Sequence, residues 1–274
     1  MTLTKPAEHS VDAFLGGLVT LVQPRKGHRA GLEAALLQAV VPPDSRGNAV
    51  DLGTGVGTVA FALAARAPAL TVTGVEREPS LVLLAQAALS RPKNARFASR
   101  VRIVEADVAA GRDSRIALGL CDRSADWVLM NPPFDLEGRG RPSPDEGRRS
   151  AHMAEAGTLS AWCRSAAGLL RPRGVLGLIH RAAALPEILE ALSGRFGDTR
   201  ILPVHPLQGQ PATRIVVRAV RGSRAALQIM PGLVLHLPAG GWTEEAEAIL
   251  SGRSHLFPPA TSQAGSNQRS ASPS

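Results

Sequence analysis

Pro132 and Pro133 stand side by side at the end of an apolar run, Ala125-Asp126-Trp127-Val128-Leu129-Met130, with a single polar amide, Asn131, between run and prolines. Proline cannot donate to a β-ladder, so two in succession stop a strand. A short apolar run bounded by breakers is the pattern of a strand buried on both faces of a parallel sheet. Strands of that kind alternate with helical segments through most of the chain, which predicts an α/β fold with helices on both faces. In open sheets of this class ligands bind at the carboxyl ends of the strands, and that is where Asn131 is delivered. A strand ending in a Pro-Pro turn beside a core Phe would satisfy the same residues without chemistry.

The chemistry such a string can perform follows from its donors and acceptors. An amino nitrogen attached to a π system is a poor nucleophile because its lone pair is delocalised. Alkylating it requires a shift toward tetrahedral geometry, with the lone pair aimed at the incoming carbon. The side-chain oxygen of Asn131 and the carbonyl of Pro132 can accept the two amino hydrogens and hold that orientation. As positive charge develops on nitrogen these acceptors bind it more tightly, which favours the transition state over the ground state. Phe134 offers a ring face on which a planar group can stack.

Upstream, Ala49-Val50-Asp51-Leu52 runs into Gly53-Thr54-Gly55-Val56-Gly57, and Thr58 to Arg66 reads as a helix. Gly53 and Gly55 permit a tight turn and close approach of a ligand to free helix N–H groups. Asp51 just before the turn suits a ligand carrying a cationic ammonium rather than a pyrophosphate. The next strand, Leu70 to Val75, ends in Glu76, placed to accept ribose hydroxyls. A third strand, Val101 to Ala106, leads to Asp107. Helices are expected over Leu32–Val41, Pro79–Ser90, Gly157–Leu170, Leu185–Leu192 and Glu244–Leu250, and loops over 91–100 and 135–156. The second loop carries Arg139, Arg141, Arg148 and Arg149, candidates for gripping substrate phosphates or else a solvated insertion. Gly174–His180 reads as a fifth strand, and Ile201–Leu207 with Arg214–Val220 as an antiparallel pair at the sheet edge.

Net charge is +8, with basic residues almost all Arg (Lys only at 5, 26 and 93). That balance suits a polyanionic partner, although the Ala, Gly, Pro and Arg richness also looks like a compositional bias. The two cysteines, Cys121 and Cys163, form no CxxC pair, and His180, His205 and His236 fall at no metal spacing, so no metal is expected. Val11–Val22 is too short and too broken to span a bilayer, and a cytoplasmic chain is expected.

The string Asn131-Pro132-Pro133-Phe134 resembles the signature of class I methyltransferases that act on planar amino nitrogens with S-adenosylmethionine as donor. The opening from Gln23-Pro24 to Leu37, with His28 where an aromatic is usual and Glu33 where Asp is usual, is similar to the bacterial tRNA1(Val) adenine-N6 methyltransferase group. So is the ending from Pro203-Val204-His205-Pro206 to Arg218. The resemblance covers roughly residues 10 to 255. It implies a Rossmann-like, seven-stranded, mostly parallel sheet whose last strand is antiparallel. It implies an N-terminal cap over the donor (residues 1–45) and a methyltransferase domain (46–255); the tail (256–274), rich in Ser, Pro, Gln and Ala, is expected to be disordered. Gln23, Asp51, Gly53, Gly55, Glu76, Asp107 and Asn131 would surround the donor, with Asp107 accepting from its adenine amine. Asn131, Pro132 and Phe134 would serve transfer to an adenine amino nitrogen in tRNA. The motif alone also admits glutamine methylation on release factors, or amino methylation of DNA or ribosomal RNA.

Overall fold

The computed structural model describes residues 9–25, 31–133 and 144–257, and of 144–156 the backbone only. In chain order the elements are β1 (His9–Phe14), β2 (Val19–Pro24), α1 (Leu32–Gln38), β3 (Arg46–Leu52), α2 (Thr58–Arg66), β4 (Ala69–Glu76), α3 (Pro79–Leu89), α4 (Ala95–Ala98) and β5 (Val101–Glu105). There follow α5 (Arg112–Ala117), β6 (Ala125–Met130), α6 (Pro144–Leu169), β7 (Leu170–Arg181), α7 (Leu185–Leu192), β8 (Phe196–Leu207), β9 (Arg214–Arg221), β10 (Gln228–Ile229), β11 (Leu233–His236) and α8 (Glu244–Leu250).

The main sheet has the order β10-β8-β9-β7-β6-β3-β4-β5, with β11 also on β8, nine strands in all among the described residues. Pairing is parallel from β5 through β7, antiparallel on both sides of β9, and parallel again where β10 and β11 meet β8. The expected seven-stranded sheet with an antiparallel last strand is thus present as β3–β9. Two short additions extend it, and β9 lies inside the sheet, between β7 and β8. Its outer neighbour β8 is covered in turn, so the β8–β9 pair is not a bare edge.

Two apolar layers sandwich the sheet. On one face Leu36, Leu37, Val59, Phe61, Leu63, Ala85 and Ile249 pack from α1, α2, α3 and α8. On the other, Leu159, Cys163, Ala166 and Leu169 of α6 join Ile188 and Leu192 of α7. Leu129 and Val128 of β6 face opposite layers and are both fully buried, which is why this strand reads as a continuous apolar run rather than an alternating one.

Three segments differ from the sequence expectation. Val11–Val22 folds as the β1–β2 hairpin, turned by Leu15, Gly16 and Gly17 at φ of 54°, 61° and 81°. Buried Asn94 seats it: its amide donates to the Thr20 carbonyl (2.7 Å) and accepts from the Thr20 N–H (3.0 Å), as a neighbouring strand would. The stretch 91–100 is a 3-10 turn followed by α4, not a loop. And α6 begins at Pro144, so the second half of the anticipated 135–156 loop is helix.

Candidate active site

The site is built at the carboxyl ends of β3, β4 and β6. Register aligns Val75, Leu52 and Met130 across the three strands, so Glu76, Gly53 and Asn131 follow one residue later in a row. The Val75 carbonyl accepts both the Gly53 and Thr54 N–H groups (2.8 and 2.9 Å), folding the turn back over β4. Gly53, Gly55 and Gly57 have φ of 70°, 57° and 87°, a region glycine enters without strain. A Cβ on Gly53 would lie 2.5 Å from the Trp162 ring, whereas one on Gly55 would meet nothing within 4 Å. The turn is therefore clamped by α6 on one side and open at Gly55.

Two carboxylates shape this turn. Asp51 is 2% exposed, and its Oδ2 accepts from Thr54 Oγ1 (2.6 Å) and from the Ala60 N–H at the start of α2 (3.2 Å). Burial pushes its carboxyl up to about 7 against the pull of those two hydrogen bonds, with a small further push from Glu76. Glu76 is also buried; its Oε2 accepts from the Gly55 N–H (2.9 Å), and its Oε1 from Arg77 and Glu78 N–H groups (2.9 and 3.0 Å). Three backbone donors thus fix the Glu76 carboxylate, two of them on Oε1, while Oε2 keeps a lone pair for a hydroxyl.

Asn131 stands on the far side of the turn. Its Oδ1 is buried and has no hydrogen-bond partner among the described residues, whereas nearly all buried polar atoms in proteins are paired. Pro132 behind it is buried and Pro133 exposed. An acceptor desolvated and left waiting suits a donor brought in by a substrate.

Residues 31–143 match the family described as "Methyltransferase small domain". The chain is 28% identical over 225 residues to a tRNA1(Val) (adenine(37)-N6)-methyltransferase of Porphyromonas gingivalis, covering 79% of this chain and 85% of that protein. It is 32% identical over 183 residues to 4-amino-L-phenylalanine/4-methylamino-L-phenylalanine methyltransferase of Streptomyces pristinaespiralis, covering 64% and 56%. The crystal structure of a predicted O-methyltransferase from Agrobacterium tumefaciens superposes with a TM-score of 0.71 at 32% identity, over 82% of this chain and 98% of that one. The chain belongs to the S-adenosylmethionine-dependent methyltransferases.

The methyltransferase brings together five of the residues anticipated around the donor: Asp51, Gly53, Gly55, Glu76 and Asn131. They are fit to hold S-adenosylmethionine: an open glycine, a fixed acceptor for hydroxyls and a buried acid. Asp51, however, is spent largely on the turn itself, since both of its hydrogen bonds go to the loop and helix it shapes. Asp107 lies two residues past β5, exposed, its Oδ1 accepting from the Ala109 N–H (2.8 Å). Gln23, at the end of β2, is 4% exposed and donates to Asp12 (2.9 Å), so its amide is occupied within the hairpin. Phe134, Arg139 and Arg141 lie outside the described residues, and Arg148 and Arg149 are placed on α6 by backbone alone.

Sequence reasoning did not find the partners of two contributors. Trp162 was legible only as an inward helical residue; its contact with Gly53 depends on where α6 crosses the sheet. Glu33 of α1 pairs with Arg214 at the start of β9 (3.0 Å), tying the segment after the hairpin to the carboxyl end of the sheet. Buried Cys163, its thiol pushed up to about 12 by burial, is an inert core residue. Among the described residues no helix is long and apolar enough to cross a membrane.

Proposed function

We propose that this methyltransferase acts on the exocyclic amino nitrogen of an adenine in tRNA. The observation that carries this reading is the buried, unpartnered Oδ1 of Asn131, in line with Gly53 and Glu76 and followed by two prolines. Bound S-adenosylmethionine supplies the electrophilic methyl group. Asn131 Oδ1 and the Pro132 carbonyl accept the amino hydrogens and turn the nitrogen lone pair toward it. No strong base is needed, because the proton is readily lost once nitrogen is alkylated. Phe134 stacks on the extruded or unpaired base. Glu76 takes the donor's ribose hydroxyls, Asp107 its adenine amine and Gln23 its methionine end. Residues 1–45 act as a cap over the donor, and Arg139, Arg141, Arg148 and Arg149 meet phosphates. Supporting the substrate are the tRNA enzyme of P. gingivalis and the net charge of +8.

A second reading is supported by the S. pristinaespiralis relative, whose substrate is a small aromatic amine. Both readings place a ring-attached amino nitrogen at Asn131. The test incubates purified protein and labelled S-adenosylmethionine with unmodified total tRNA, with 4-amino-phenylalanine, with DNA and with a glutamine-bearing release factor. Label recovered as N6-methyladenosine supports the proposal; transfer to any other substrate with tRNA inert overturns it. In the same assay Asn131→Ala should lower turnover by about 100- to 1000-fold, with donor affinity held within threefold. Equal losses in turnover and donor affinity would remove Asn131 from the transfer step.

A further inference from the structure

We infer that the His236–Trp242 stack and the cleft beside His205 form an accessory nucleobase site, engaging an unpaired base a few nucleotides from the one methylated. This rests on the RNA reading above. The strand directions put the site on the reacting side of the molecule: β8 runs parallel to β7, and β11 parallel to β8, so all three end at the same pole as β6. There, a turn at 237–241 brings Trp242 back to bridge His236. The two rings stack with centroids 4.3 Å apart and planes 26° from parallel. Trp242 is still 41% exposed, although large aromatic rings are normally buried, and Leu237 beside it is 48% exposed. A rigid indole, backed by a second ring and open to solvent, is a platform on which any base can stack.

Next to it, pairing sets His205 opposite Val234 and Leu207 opposite His236, placing these side chains on one face of the sheet. A cleft of about 540 Å³ opens there, lined by His205, Gly209, Gln210, Pro211, Gly232 and Val234. Recognition here rests on the ring face rather than on charge. Arg214 is met by Glu33 from α1, and Arg200 and Arg218 by Asp198. Arg221 pairs opposite the start of β8 at the other pole, and Glu244, Glu245 and Glu247 follow Trp242 on α8. From β6 to β11 there are four strand-to-strand steps (β7, β9, β8, β11), roughly 19 Å at about 4.8 Å each. An isolated nucleoside cannot bridge that span, whereas a short single-stranded loop can.

The test uses the full chain with two probes, a tRNA anticodon stem-loop and free adenosine. Trp127, Trp162 and Trp242 are the chain's three tryptophans, and Trp242 alone is exposed. Stem-loop titration should quench tryptophan fluorescence in the wild type and not in Trp242→Ala; adenosine should quench neither. In methylation assays Trp242→Ala should raise the KM for stem-loop about tenfold or more, with kcat within twofold and donor affinity unchanged. Trp242→Phe, which keeps a stacking face, should recover most of that KM. Stem-loop methylation with wild-type KM in Trp242→Ala overturns the site and leaves the adenine reading standing. Quenching that Trp242→Ala abolishes, in a protein that methylates no RNA, supports the site and sinks that reading.

Discussion

At the scale of one residue, Asp51 shows how a buried acid can make a site conditional on pH. Its folded carboxyl titrates near 7 and its ordinary value is 3.8, the difference arising first from desolvation. A raised folded value means the native state holds a proton that the unfolded chain releases. The resulting stability is full below about pH 4 and is lost as pH rises through 7. Both hydrogen bonds land on the same oxygen, Oδ2, so an Asn can keep them with its carbonyl and place its NH2 where the acid carried the proton. Asp51→Asn should therefore match the wild-type melting temperature at pH 5 and exceed it at pH 8.5. Donor binding should move the other way, because an ionised Asp51 attracts the donor's cationic end and an amide does not. Wild-type donor affinity should gain on that of the variant between pH 6 and 8 in calorimetric titrations. Parallel pH profiles would show that Asp51 only shapes the turn.

At the scale of elements, the Gly turn and α6 form one unit. Gly53 combines a positive φ of 70° with a Cβ position 2.5 Å from a ring carbon of Trp162. Gly53→Ala should cost about 1–3 kcal/mol, read as a lower urea midpoint. Trp162→Phe added to it should restore part of the loss, since the two sites share one contact. An unchanged midpoint in Gly53→Ala would mean that α6 does not clamp the turn in solution. This pairing marks where the sequence stops being readable. The turn itself, α2, α7 and α8 were legible to the residue because breakers and apolar spacing bound them, and β6 because Pro132 and Pro133 stop it. The first half of α6 lacks apolar periodicity, so only its start signals, Pro144 followed by Asp145 and Glu146, could have shown it. The β1–β2 hairpin was hidden because its burial comes from α3 and Asn94, which lie some 60 residues and more beyond it. Likewise the row of Glu76, Gly53 and Asn131 was legible as three strand ends, but their alignment is a property of register.

At the scale of the whole molecule, the pole opposite the site is held by the segment 252–257 that follows α8. Arg66 closes α2 at that pole, and burial pushes its guanidinium below its ordinary range. Its Nε donates to the Gly252 carbonyl (3.0 Å) and its NH2 group to the Ser254 carbonyl (3.0 Å). The remaining nitrogen donates to the carbonyl of Gln38 (3.2 Å), the last residue of α1, and to that of Val41 (3.3 Å) just after it. Leu256 and Phe257 are then buried against the same layer, and the Leu256 N–H donates to the Ala39 carbonyl (2.8 Å). One buried cation thus joins α1, α2 and the segment after α8. A chain ended at Ser251 would lose the burial of two large apolar side chains, Leu256 and Phe257, worth about 1.5–3 kcal/mol each. It would also strip two acceptors from a buried charge, for roughly a further 1–3 kcal/mol. That is a large part of the 5–15 kcal/mol typical of a folded domain, at roughly 4–9 kcal/mol. The truncated chain should melt many degrees below the full one in calorimetry. Asn131, Glu76 and the Gly turn all lie at the other pole, so at a temperature where the shortened chain is still folded its donor affinity should match that of the full chain. A melting temperature within two degrees of the full chain would place the stabilising contacts elsewhere. A lowered donor affinity in the folded truncation would mean that the C-terminal segment reaches the site through α1, whose Glu33 meets Arg214 at the reacting pole.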